Sequence, residues 1–105
     1  MNTRIRMAGM VLLGLLGVAP MMAQAGADTY KAKCQSCHGA TGMADTGAGK
    51  AMKVKPANDA DVKAMTEDQM IAVVTDGKGK MPAYKGKLTD AQIKDSVAYY
   101  RTFVK

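Results

Sequence analysis

Five consecutive residues, Cys34-Gln35-Ser36-Cys37-His38, hold both cysteines and the only histidine of a 105-residue chain. No other stretch restricts the fold as strongly, because three chemistries use such a cluster and each demands a different frame. A structural zinc site takes four protein ligands, and the chain offers three conventional soft or imidazole ones. A thioredoxin-type dithiol belongs in a βαβ unit, which a helical pattern does not supply. The third chemistry is covalent haem attachment. Two thiols one helical turn apart each add to a vinyl group of the porphyrin, and the next residue offers its imidazole to the iron from the same side. A grip on one rigid macrocycle at three points explains why the residues are crowded together. It also consumes both thiols, so no disulfide is expected even in an oxidising compartment.

The N-terminus points to such a compartment. Arg4 and Arg6 precede an apolar run from Met7 to Ala19, and Ala23-Gln24-Ala25 has the small-x-small form of a cleavage site. The run is 13 residues long, short of the ~20 that span a bilayer, so residues 1–25 are predicted to be a cleaved Sec signal peptide rather than a retained anchor. Residues 26–105 then form one periplasmic domain without stable membrane insertion. Its formal charge is +4, once Arg4 and Arg6 leave the +6 of the whole chain. Acids interrupt the basic residues and stacking aromatics are few, which excludes nucleic acid as a partner. An acidic protein surface suits that charge better.

Eighty residues make a marginal apolar core. The aromatic stock is Tyr30, Tyr84, Tyr99, Tyr100 and Phe103, with no tryptophan. Something other than side chains is therefore expected to fill the interior. Three main helices are legible. The first covers about Ala27 to Cys37, its inner stripe of Ala27, Tyr30 and Cys34 running into the motif. The second starts at Met65-Thr66-Glu67-Asp68-Gln69-Met70 and ends at Asp76-Gly77. The third starts at Leu88-Thr89-Asp90-Ala91-Gln92-Ile93 and runs to about Val104. Each start combines a capping box with a hydrophobic staple. Between the first and second helices, Gly39 to about Ala64 reads as a long glycine-rich loop that needs something to wrap around.

These features resemble the small bacterial class I cytochromes c over nearly all of residues 26–105. Gly26 and Tyr30 stand eight and four positions before Cys34, where that family has a glycine and an aromatic. Gly77 to Tyr84, "GKGKMPAY", is similar to its Met-Pro ligand loop, and Leu88 to Phe103 to its C-terminal helix, with Ala98-Tyr99 at the family's Ala-Tyr. Ser96 departs from the pattern, standing where a large aliphatic is usual, which bears on how tightly the terminal helices meet. The resemblance implies an all-α fold, with three main helices and long loops wrapped around one covalently attached haem c. It also implies electron transfer as the only chemistry.

His38 would fill one axial position of the iron. Five methionines remain in residues 26–105: Met43, Met52, Met65, Met70 and Met81. Met65 and Met70 belong to the staple, and Met43 and Met52 to the long loop. Met81 lies on a glycine-rich turn directly before Pro82, which drives it towards extended geometry and stiffens the segment. A loop methionine can be a gap filler or a ligand; the resemblance implies that Met81 is the second axial ligand. A thioether favours Fe(II), so a positive potential and a six-coordinate low-spin iron are expected. The resemblance also implies that a proline carbonyl after the motif accepts the second His38 N–H, with Pro56 as the candidate; a plain loop-stiffening role is the other reading. Tyr84 either bonds a haem propionate or simply packs.

Lys78, Lys80, Lys85 and Lys87 flank Met81, and Lys50, Lys53 and Lys55 lie in the other loop. They form either a positive docking rim for acidic redox partners or ordinary solubilising charge. No nucleophile–base pair or carboxylate dyad is evident, and an iron-bound His38 is lost to acid–base work. A monomeric periplasmic one-electron carrier is the reading favoured. A haem enzyme or gas sensor with an open sixth position stands as the alternative, as does a subunit docked on a larger oxidase or reductase.

Overall fold

Helices α1 (Val18–Lys33) and α6 (Asp90–Arg101) cross, and the Cys34–His38 motif hangs from the end of the first. The computed structural model describes residues 18–105, so the leader expected over residues 1–25 falls, as far as residue 17, outside the described residues. Residues 18–25 are helical and continuous with α1. Among the described residues there is no β-strand, only isolated bridges in the segment 78–88.

The crossing depends on Gly26. A Cβ there would run into the backbone carbonyl of Asp95, so glycine lets α1 lie directly on α6. Ser96, one residue on, is buried and donates its hydroxyl to the Ile93 carbonyl at 3.0 Å. The small residue at 96 thus leaves a close contact, since backbone proximity at Gly26 does what a large side chain would do.

Tyr30 anchors the same interface. It is 2% exposed, and its ring lies 5.3–6.2 Å from those of Tyr99, Phe103 and Tyr100. Its hydroxyl donates to the Gly39 carbonyl at 2.6 Å, closing the motif back onto α1. Tyr30→Phe should cost about 1 kcal/mol, because the Gly42 amide still donates to that carbonyl. Tyr30→Ala should cost about 3–5 kcal/mol through the lost ring. Denaturant unfolding of the haem-loaded protein checks both, and equal costs would place the stabilisation in the hydrogen bond rather than the aromatic cluster.

The first helix does not continue evenly to Cys37 as the stripe suggests. Cys34 has φ −115°, and a second short helix, α2 (Gln35–His38), starts after it. The Cys34 carbonyl receives both the Cys37 and His38 amides, so the chain tightens into one turn rather than stopping. Gly39, at φ +86°, ends it.

The long loop holds two short helices, α3 (Gly47–Ala51) and α4 (Ala60–Lys63), capped by Thr46 and Asp59. Thr46 also donates its hydroxyl to the Ser36 carbonyl at 2.7 Å, tying α3 to the motif. Helices α5 (Glu67–Asp76) and α6 carry the two capping boxes in full, with Thr66 and Gln69 in one, Thr89 and Gln92 in the other. Both staples pack: Met70 and Ile93 are buried, with Met65 and Leu88 against the same cluster. Helix α6 ends at Arg101 rather than near Val104. There Thr102 donates its hydroxyl to the Tyr99 carbonyl, and the last amides shift to three-residue turns.

Candidate haem site

A cavity of about 830 Å³ opens between the motif, the long loop, α5 and the segment 78–84. Such a volume lies in the upper part of the range for cofactor pockets. Val62, Met70 and Val97 line it, and these are also core residues, so the core and the cavity wall are largely the same side chains. Val54, Val73 and Val74 extend the apolar lining. The local sequence gave no sign that the valines of α5 would face a cavity, because burial against protein and burial against a cofactor leave the same stripe.

The motif forms one wall. Cys34, Cys37 and His38 all line the cavity, presented by the tightened turn at the end of α1. Burial and the neighbouring Cys37 push the Cys34 thiol up to about 11. A redox-active dithiol has its thiol pKa lowered, so this environment argues against the thioredoxin-type reading. Burial holds His38 below its ordinary value and keeps the imidazole neutral, the form that ligates a metal. The Tyr100 ring stands edge-on to His38 with centroids 5.5 Å apart.

Met81 lies on the segment opposite in sequence and also lines the cavity, half-buried. Its turn is closed at both ends: the Met81 amide donates to the Lys78 carbonyl at 3.0 Å, and the Lys78 amide to that of Met81 at 3.1 Å. Gly79 provides the left-handed residue at φ +58°. Gly77, at φ +80°, has no room for a Cβ beside the Met81 carbonyl and the Ala83 amide. Beyond the turn, the Tyr84 and Lys85 amides donate to the Val74 and Thr75 carbonyls, pinning the segment to the end of α5.

Met52, Met65 and Met70 line the cavity as well, so the staple residues serve both the helix start and the pocket. Tyr84 lines it too, with its hydroxyl donating to the Lys33 carbonyl at 3.1 Å. The structure does not bring Pro56 to His38. The Pro56 carbonyl accepts from the Asp59 amide at 2.9 Å in the turn leading into α4, and the proline is not among the cavity-lining residues. His38 Nδ1 is buried and has no protein partner. Of the lysines singled out, Lys53, Lys55, Lys78 and Lys80 reach the cavity, joined by Lys33; Lys50, Lys85 and Lys87 do not. Lys55 is paired with Asp61 at 2.5 Å, an exposed acid inside the basic rim.

Two thiols and a neutral imidazole on one wall, a thioether on another and an apolar lining between them fit a haem. The family described as "Cytochrome C oxidase, cbb3-type, subunit III" matches residues 22–99. The chain belongs to the small class I cytochromes c. Cytochrome c6 of Leptolyngbya boryana is 46% identical over 78 residues, which cover 74% of this chain and 87% of that protein. Cytochrome c6 of Picosynechococcus is 36% identical over 81 residues, covering 73% of this chain and 69% of that one. Among solved structures, the c-type cytochrome KustC0563 superimposes with a TM-score of 0.69 at 29% identity, over 76% of this chain and 98% of that one. Cytochrome c6 of the diatom Phaeodactylum tricornutum gives 0.61, also at 29%, over 78% and 93%.

This cytochrome therefore has the all-α class I fold and a covalently bound haem c, and it is a small electron carrier. Among the described residues of the cytochrome, no helix is long and apolar enough to cross a membrane.

Proposed function

We propose that the cytochrome is exported, loses residues 1–25, and carries single electrons between periplasmic proteins on a haem held by Cys34 and Cys37. His38 and Met81 are its axial ligands. The observation that carries this reading is the meeting of both thiols, the neutral imidazole and the half-buried Met81 thioether around one apolar cavity. When bound, the haem supplies the one-electron couple. The chain's own residues do the rest. The tightened turn after Cys34 orients the three attachment residues, and Val62, Val73, Val74 and Val97 exclude water from the face they cover. The Lys78–Met81 turn fixes the backbone from which the Met81 thioether would reach the iron.

Absorption spectra of the purified protein test the ligand assignment. A thioether-to-iron charge-transfer band in the ferric state and no carbon monoxide binding by the reduced protein are expected. Ready carbon monoxide binding at neutral pH would instead favour a haem enzyme or gas sensor with an open sixth position.

Partner docking follows from the mouth of the cavity. Lys33, Lys53, Lys78 and Lys80 are exposed there and present positive charge to an approaching redox partner with an acidic surface, whereas the charge of Lys55 is offset by Asp61. Second-order electron-transfer rates with such a partner should fall as ionic strength rises, since the Debye length shrinks from about 10 Å at 0.1 M to 3 Å at 1 M. Rates indifferent to salt would reject steering. The cytochrome acts as a monomer in this reading, and gel filtration of native extracts separates a free carrier from a docked subunit.

A further inference from the structure

Every lysine among residues 24–105 is exposed, whereas Arg101 is partly buried. It sits in the last turn of α6 and reaches across to α5. Its guanidinium Nη1 donates to the Met65 carbonyl at 3.2 Å and lies 3.7 Å from the Met70 sulfur. Met65 and Met70 both line the haem cavity, so Arg101 stands directly behind the cavity wall. It has no carboxylate partner: among the described residues the one ion pair is that between Lys55 and Asp61.

We infer that Arg101 tunes the haem, raising the reduction potential through an uncompensated fixed charge behind the Met65–Met70 wall. This rests on the proposed haem site and deepens it. Adding an electron lowers the net charge of the pocket by one, and a nearby cation favours that state. The mouth lysines act in the same direction, but from water, where a charge at a given distance counts for least. Arg101 acts through a wall of methionine side chains, with a lower effective dielectric. Its guanidinium stays protonated at any working pH, so the contribution does not vary with pH. Arg101 touches neither cavity nor ligand and is a tuning residue only.

Potentiometric titration of the haem-loaded protein tests this with three variants. Arg101→Gln and Arg101→Met remove the charge, one keeping an N–H donor and the other an apolar stem; Arg101→Lys keeps the charge and alters the geometry. Both neutral variants should have a lower midpoint potential than the wild type, and Arg101→Lys should stay close to it. The shift should largely persist in high salt, which would abolish one arising from the exposed lysines. The ferric charge-transfer band should be retained throughout, showing the same axial ligands. Neutral variants with the wild-type potential and an intact band would overturn the inference while leaving the haem site standing. So would Arg101→Lys falling as far as Arg101→Gln, which would assign the effect to packing. Failure of both neutral variants to mature while Arg101→Lys does so would place the charge in folding and equally overturn it. A wild-type protein lacking the band would instead remove the ligand assignment itself.

Discussion

Met81→Ala is expected to abolish the ferric charge-transfer band and let the reduced protein bind carbon monoxide. It should also lower the reduction potential by at least the ~59 mV that corresponds to a tenfold change in a one-electron equilibrium. The reason is soft-ligand chemistry: a thioether stabilises Fe(II), and water or hydroxide in its place does not. The effect should be confined to the site. Met81 is half-buried in a turn closed by its own backbone bonds to Lys78, and it lies outside the buried cluster of Val62, Met70, Ile93 and Val97. Global stability should change far less than the spectrum. A variant that keeps the band and excludes carbon monoxide would transfer the role to Met52, Met65 or Met70, the other methionines lining the cavity.

The second large effect concerns folding. A Cys34→Ala/Cys37→Ala chain produced without haem should show no cooperative thermal transition by circular dichroism. Val62, Met70 and Val97 are at once core and cavity wall, so without the porphyrin their cavity-facing sides have nothing to pack against. The native margin of a domain is about 5–15 kcal/mol, and an 80-residue domain sits towards its lower end. The aromatic cluster of Tyr30, Tyr99, Tyr100 and Phe103 remains without haem, but it secures the crossing of α1 and α6 and the adjoining motif rather than the cavity wall formed by α5 and the segment 78–84. A sharp transition in the haem-free double variant would mean that this crossing and the two capped helices suffice.

What the sequence made legible was what local chemistry encodes. Thr66 with Gln69 and Thr89 with Gln92 mark helix starts because a capping box closes within four residues, and both are formed. Gly77 stops α5 where expected. The attachment motif is likewise local, whereas the turn before Pro82 left Met81 either a gap filler or a ligand, and only the resemblance to the class I cytochromes c pointed to the ligand. The kink at Cys34 and the end of α6 at Arg101 were not legible, since both depend on which carbonyl takes which amide. Longer contacts leave no pattern at all. The bonds from Tyr30 to Gly39, Tyr84 to Lys33 and Arg101 to Met65 span 9, 51 and 36 positions. Pro56 shows the converse: its carbonyl is committed to the Asp59 amide, an ordinary turn bond that the residue type did not distinguish from a reach to His38.

Intact-mass spectrometry of the exported protein after acid–acetone extraction tests the central claim most directly, since that extraction strips haem that is merely coordinated. The account predicts the mass of residues 26–105 plus one haem, with the haem carried on the peptide holding Cys34 and Cys37. A bare polypeptide mass with two free thiols would contradict it.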